Sequence, residues 1–165
     1  MTQVAIGLGT NLGDREQALH RAVAGLQGVL EGLTLSSIYE SVPMFVEDQP
    51  LFLNMVALGR TNCGPLALFH SIKQLEKELG RTQTYPNGPR VIDLDILGYG
   101  SLSYDFEFED ESSLVIPHPR MKGRPFVWVP LQELEPRLEI PYLRAELSQN
   151  QSSEGVTKWD AHARI

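Results

Sequence analysis

The sequence contains one cysteine, Cys63, among 165 residues. One thiol forms no intrachain disulfide and builds no cysteine-based zinc site, so a buried core must carry the stability, and a reducing, cytoplasmic setting is expected. Nothing approaches the roughly 18 consecutive apolar residues of a membrane helix. Met1 to Gly13 has neither a basic start nor a long apolar stretch and does not read as a signal peptide. An excess of positive charge is also missing. Fourteen Lys and Arg stand against 21 Asp and Glu, a net charge of -7, so no broad attraction to nucleic acid or to an anionic membrane is expected.

What is present is ordinary globular material, 42% hydrophobic and 21% charged, enough for about one domain of the usual size of roughly 100–200 residues. The first strand is expected at Gln3–Leu8. Asp14 is a candidate N-cap for a helix over Arg15–Val29, with Ala18, Leu19, Ala22, Val23 and Leu26 on one stripe. Strands are expected at Leu35–Tyr39 and Phe52–Leu58, and a helix from Pro65 to the residue before Gly80. A fourth strand is expected at Val91–Tyr99, a short one at Val115–Ile116, and a last helix from Pro125 through Leu134. Tyr104 to Ser113 carries five acidic residues among aromatics and reads as a mobile hairpin or loop. From Arg144 onward the composition turns polar. The expectation is a single domain over 1–143, with 144–165 as a poorly ordered tail. The order β-α-β-β-α-β is that of a ferredoxin-like α+β domain.

The most informative stretch is Gly88 to Leu97, GPRVIDLDIL. Extended, it turns Ile92, Leu94 and Ile96 to one side and Asp93 and Asp95 to the other, about 6.6 Å apart along the strand. Two carboxylates on one face repel each other. Either they face water on a half-exposed sheet, or they hold a cation, and an all-oxygen pair suits Mg²⁺ with substrate phosphate completing its shell. Arg90 lies at the strand entrance, and His118, Arg120, Lys122 and Arg124 form a second basic cluster. Guanidinium groups grip phosphate oxygens in pairs, so acids for a metal stand beside arginines for phosphates, as phosphoryl transfer requires. Phe52 and Asn54 share a face if extended. They offer a ring surface and a carboxamide to a flat heterocycle, although a lone Phe is also ordinary core. His118 is open to two readings, a phosphate partner or a packed loop residue. Gly7, Gly9 and Gly13 follow neither the dinucleotide-binding nor the P-loop spacing; their expected role is tight strand-to-helix turning. Cys63 and Trp128 read as structural.

With GLGTN (7–11), SIYES (37–41), DQPLFLN (48–54), EKELGR (76–81), GPRVIDLDIL (88–97) and IPHPRMKGRPF (116–126) in that order, the chain resembles the 6-hydroxymethyl-7,8-dihydropterin pyrophosphokinases of folate biosynthesis over about Val4 to Pro136. The resemblance implies a three-layer α/β/α version of the ferredoxin-like fold with a mainly antiparallel sheet. It implies transfer of pyrophosphate from ATP to the pterin hydroxymethyl oxygen, releasing AMP. It also implies that Asp93 and Asp95 hold two Mg²⁺ ions. Arg81, Arg90, His118 and Arg124 would contact ATP phosphates, with Arg81 and Arg90 among the catalytic residues and Glu76 near the nucleotide. Phe52 and Phe126 would sandwich the pterin, Asn54 would bond its pyrimidine edge, and Ser41 and Pro43 would line its pocket. The partners implied are these two small substrates, without nucleic acid or membrane, and a monomer is expected. The segment Thr82–Asn87, where relatives carry basic residues expected to close over ATP, has none. That departure motivates a rival reading, a non-catalytic or weakly active pterin- or nucleotide-binding relative. A different metal-dependent phosphotransferase on the same kind of sheet is a third.

Overall fold

The structure, a computed structural model, describes residues 1–43, 48–81 and 88–160. Strands β1 (Thr2–Thr10), β4 (Phe52–Thr61) and β5 (Asp93–Tyr99) form its centre, with β1 paired antiparallel to both neighbours. The far edge is shared. β2 (Glu31–Leu35) pairs with β4 near Ala57–Arg60, and β3 (Tyr39–Ser41) pairs with β4 at Phe52–Asn54. The strand expected at Leu35–Tyr39 is therefore an interruption between two shorter ones. There Ser36 leaves the ladder, and its backbone N–H and hydroxyl bond Val56 instead.

Helices cover both faces. α1 (Arg15–Leu26) begins where the Asp14 carboxylate accepts from the Gln17 N–H, and α2 (Pro65–Glu78) carries Pro65 at its start, where a missing N–H costs nothing. Their buried residues Leu19, Ala22, Leu26, Leu68, Ile72 and Leu75 pack on Val4, Ile6, Leu8, Leu53, Leu94 and Ile96. The opposite sheet face presents Ala5, Val56, Leu58 and Leu97 to α3 (Pro125–Glu133) and α4 (Pro141–Glu146). The chain is thus an α+β fold of three layers around a mainly antiparallel sheet. The acidic aromatic stretch forms a hairpin of β6 (Tyr104–Glu107) and β7 (Ser113–Ile116), anchored to α2 by stacking of Phe108 on Phe69 at 5.2 Å.

The C-terminal segment departs from the sequence expectation. β8 (Val156–Lys158) pairs antiparallel with β3, and Trp159 packs against the core. Polarity misleads here because an edge strand is held by backbone hydrogen bonds, which leave its side chains free to be hydrophilic. Among the described residues no helix is long and apolar enough to cross a membrane.

Candidate active site

Strand alternation builds the site. Beyond the part of the sheet that α3 covers, the same face continues as Gly7 and Gly9 from β1, Phe52 and Asn54 from β4, and Asp93 and Asp95 from β5. Register aligns them, with Gly9 opposite both Asn54 and Asp93, and Gly7 opposite Asp95. Asn54, Gly9 and Asp93 therefore form a row across three strands, which sets the amide and the acid about 9.6 Å apart, two strand spacings. The glycine between them keeps the floor open: a Cβ on Gly9 would lie 3.1 Å from Asn54 Nδ2. Gly7 and Gly9 are thus strand residues under a cleft, and only Gly13, at φ 73°, serves the turn for which all three were expected. The cleft encloses about 840 Å³, part of it open to solvent. Phe52, Phe126, Ser41, Asn54, Arg90, Asp93, Asp95, His118 and Arg124 all line it.

The two acids sit in different electrostatic surroundings. Asp93 Oδ1 accepts from Arg81 Nη1 at 2.7 Å, and its Oδ2 from Arg90 Nη1 at 3.2 Å. Burial pushes its carboxyl up, but Arg81, Lys73 and Arg90 outweigh burial and hold it below the ordinary carboxylate range. Asp95 has His118 Nε2 at 3.9 Å. Burial, then the charge of Asp93, pushes its carboxyl up to about 7. The pair is therefore short of positive charge at Asp95, on the side facing the cleft. Among the described residues no group of three or more His, Cys, Asp or Glu is placed to hold a metal ion. The donor set fits a hard divalent cation that takes one or two carboxylates and fills its shell from water and substrate.

Behind the acids lies Glu76, whose side chain is 5% exposed. Its Oε2 accepts from Arg81 Nη1 and from the Leu94 N–H, both at 2.7 Å, and Lys73 Nζ stands 3.3 Å from Oε1. Burial lowers the Arg81 guanidinium, and Asp93 and Glu76 more than reverse that, so Arg81 stays charged. Glu76, Arg81 and Pro43 are buried or half-buried outside the linings of both clefts. Glu76 joins α2 to β5 and aims Arg81 at Asp93. The sequence pattern reveals no such role, because it arises from a contact between a helix and a strand.

His118 is fixed by its N–H on Leu97 O at 3.1 Å, and its Nδ1 accepts from the Arg120 N–H at 3.3 Å. Burial, then Arg124 and Arg120, lowers the imidazole to about 4. His118 is thus neutral at physiological pH. With Nδ1 accepting, the assigned tautomer carries its proton on Nε2, toward Asp95. Arg124 stands 5.7 Å from the Phe126 ring, and the buried Trp128 indole holds this segment by donating to Met121 O at 2.8 Å.

Two residues are missed by sequence reasoning. Asn11, 1% exposed, accepts from the Arg90 N–H at 2.9 Å and donates to Gln49 Oε1 and Pro50 O at 2.7 and 3.0 Å. It pins Arg90 and the edge of the Phe52 wall together. Its place in GLGTN was the available signal. Lys73 points from α2 to Leu94 O at 3.0 Å. Thr82–Asn87 and the Phe45 end of the loop before Asp48 lie outside the described residues.

A second cleft of about 1000 Å³ runs between α2, β5, β7 and the His118–Arg120 segment, lined in part by Phe69, Ile72, Lys73, Ser113 and Val115. Asp95 and His118 line both clefts.

A family model described as 7,8-dihydro-6-hydroxymethylpterin-pyrophosphokinase matches residues 5–136. Over 156 residues the chain is 42% identical to the 2-amino-4-hydroxy-6-hydroxymethyldihydropteridine pyrophosphokinase of Bacillus subtilis, covering 93% of this chain and 88% of that protein. It is 38% identical to the enzyme of the same description from Aquifex aeolicus, covering 90% of each. Among solved structures it is similar in fold to the HPPK-DHPS protein of Plasmodium falciparum, with TM-score 0.68 and 16% identity over 96% of this chain and 47% of that one. The chain thus spans under half the length of that structure.

Proposed function

Since the chain belongs to the 7,8-dihydro-6-hydroxymethylpterin-pyrophosphokinase family, we propose that its two clefts bring the two substrates of that reaction together at Asp95 and His118. The enzyme transfers pyrophosphate from ATP to the hydroxymethyl group of 6-hydroxymethyl-7,8-dihydropterin, in folate biosynthesis. In this reading the first cleft takes the pterin. Phe52 and Phe126 offer their ring faces, Asn54 bonds the pyrimidine edge with its amide set by the Ser41 hydroxyl at 2.5 Å, and Ser41 and Val42 form the wall. The row Asn54–Gly9–Asp93 then directs the substituent of the held ring toward the acids. The second cleft takes ATP, whose phosphates reach the shared edge within range of Arg90, His118 and Arg124, while Arg81 and Glu76 fix Asp93.

The hydroxymethyl oxygen attacks the β-phosphorus. The bond from that phosphorus to the bridging oxygen of AMP breaks, AMP leaves with the electron pair, and the hydroxyl proton is released. Holding both reactants in line replaces an encounter of two free molecules, which accounts for much of such a rate enhancement. Asp93 and Asp95 would hold Mg²⁺, two ions in our reading, which when bound neutralise triphosphate charge. Arg90 and Arg124 supply fixed positive charge, and neutral His118 donates a hydrogen bond. No strong base is required, because phosphoryl transfer depends mainly on position and charge. Both clefts belong to one chain, which suits a monomer, and one cysteine suits the cytoplasm.

The observation that carries this reading is the sharing of Asp95 and His118 by two clefts of different lining. The test is AMP formation from ATP, Mg²⁺ and 6-hydroxymethyl-7,8-dihydropterin. AMP appearing no faster than in a blank without protein overturns it; binding of both ligands without AMP marks a non-catalytic relative.

A further inference from the structure

The C-terminal strand lies on the back of the wall just assigned to the pterin. β3 has three residues, and its two neighbours are β4 at Phe52–Asn54 and β8 at Val156–Lys158. The contact continues past the ladder: Gly155 O accepts from the Val42 N–H at 3.3 Å, and Trp159 N–H donates to Ile38 O at 2.8 Å. Gly155 sits at φ 73°, and a Cβ there would lie 2.9 Å from Val42 Cγ2, so the chain passes closely over a residue that lines the first cleft.

Trp159 adds a second link. The Arg15 guanidinium lies over its ring at 5.1 Å, and the indole N–H reaches Glu16 Oε2 at 3.4 Å. The same Arg15 Nη1 donates to Glu40 Oε2 at 3.0 Å and to Leu51 O at 2.8 Å. Leu51 is the residue before Phe52, and Glu40 is the residue before Ser41. A short strand is poorly held by one neighbour alone; here β8 pairs with β3 from Tyr39 to Ser41, and Arg15, over the Trp159 ring, holds Glu40 at its middle.

We infer that β8 and Trp159 form a strap that positions the pterin wall, with Arg15 carrying the link to Phe52 and Ser41. They are positioning residues, since none of them lines either cleft. The inference rests on the assignment of the first cleft to the pterin. Neither strap contact touches the second cleft, so loosening the strap weakens pterin binding selectively.

The test measures equilibrium binding of 6-hydroxymethyl-7,8-dihydropterin and, separately, of a non-hydrolysable ATP analogue with Mg²⁺ to the full chain. Trp159→Ala is expected to weaken pterin binding about five- to tenfold and to leave the nucleotide within about twofold. Trp159→Phe, which keeps a ring beneath Arg15, is expected to restore pterin binding to within about twofold. Arg15→Met keeps an unbranched stem but removes the Nη1 donor that joins Glu40 to Leu51, and the same selective loss is expected; it carries the test if Trp159→Ala does not fold. Unchanged pterin binding in these variants, or an equal loss for both ligands, overturns the strap. Phe52→Ala is the control. If it leaves pterin affinity unchanged, the cleft assignment itself falls and the strap with it, which is a different failure from a strap variant that is silent while Phe52→Ala is not.

Discussion

Asp95 Oδ1 and His118 Nε2 face each other at 3.9 Å across the line where the two clefts join. One partner is a carboxyl pushed up to about 7, by burial first and then by Asp93, and the other an imidazole lowered to about 4, by burial first and then by Arg124 and Arg120. Neither carries its ordinary charge comfortably, and in the proposed function a cation at Asp95 with a phosphate beside it would offset that cost.

Asp95 therefore lowers the stability of the protein without metal. Its carboxyl moves from 3.8 in the unfolded chain to about 7 when folded. Between those values the folded state holds more protons, so stability falls as pH rises through this window and the full penalty stands above it. Asp95→Asn is expected to stabilise the metal-free protein at pH 8 by about 1 kcal/mol, a figure discounted because the side chain is partly open to solvent, and to have little effect at pH 4. The same substitution is expected to remove most turnover. Thermal melts at the two pH values and AMP assays check both; a variant no more stable at pH 8 contradicts the assigned charge state.

His118 is expected to act as a neutral donor. A proton-detected titration of the imidazole should find its midpoint near pH 4, with no charge change between pH 6 and 8. A midpoint near the ordinary 6.5 means that the imidazole enters the reaction as a cation at lower pH.

Gly9 is expected to be a specificity position. The added Cβ of Gly9→Ala meets Asn54 Nδ2 at 3.1 Å and raises the floor beneath the ring. The pterin KM should rise about tenfold or more, the cost of roughly 1.4 kcal/mol of misplaced contact, with the ATP KM unchanged. Equal changes in both constants indicate a general distortion of β1 instead.

Glu76→Gln tests the buried support. Removing the charge of this 5% exposed side chain takes the carboxylate from Lys73 and leaves Arg81 with Asp93. Breaking a buried ion pair typically costs about 3–5 kcal/mol, and the lower half of that range is expected because the amide can still accept from Leu94 N–H. Chemical denaturation measures it. A loss below about 0.5 kcal/mol places the residue among ordinary surface pairs.

The central strands and both long helices were legible in the sequence because their patterns are local. Asp93 and Asp95 alternate against Leu94 and Ile96, and Leu68, Ile72 and Leu75 repeat at helical spacing. What was not legible depends on contacts between distant segments. Gly7 and Gly9 look like a turn signal until register sets Gly9 between Asn54 and Asp93. Glu76 is expected near the nucleotide by resemblance alone, and its support of Arg81 shows only where Leu94 N–H and Arg81 close on it. The polar stretch after Arg144 looks unstructured until its backbone completes the edge at β3. Side-chain chemistry was readable residue by residue; which side chains share a wall was not.

The most direct test of the two-cleft account is a crystal structure soaked with a non-hydrolysable ATP analogue, Mg²⁺ and the pterin. The expected result is the ring between Phe52 and Phe126, the nucleotide along α2 and β7, and cation density against Asp93 and Asp95 with the β-phosphate beside it. Phosphates seated away from both aspartates, or both ligands crowded into one cleft, contradict it.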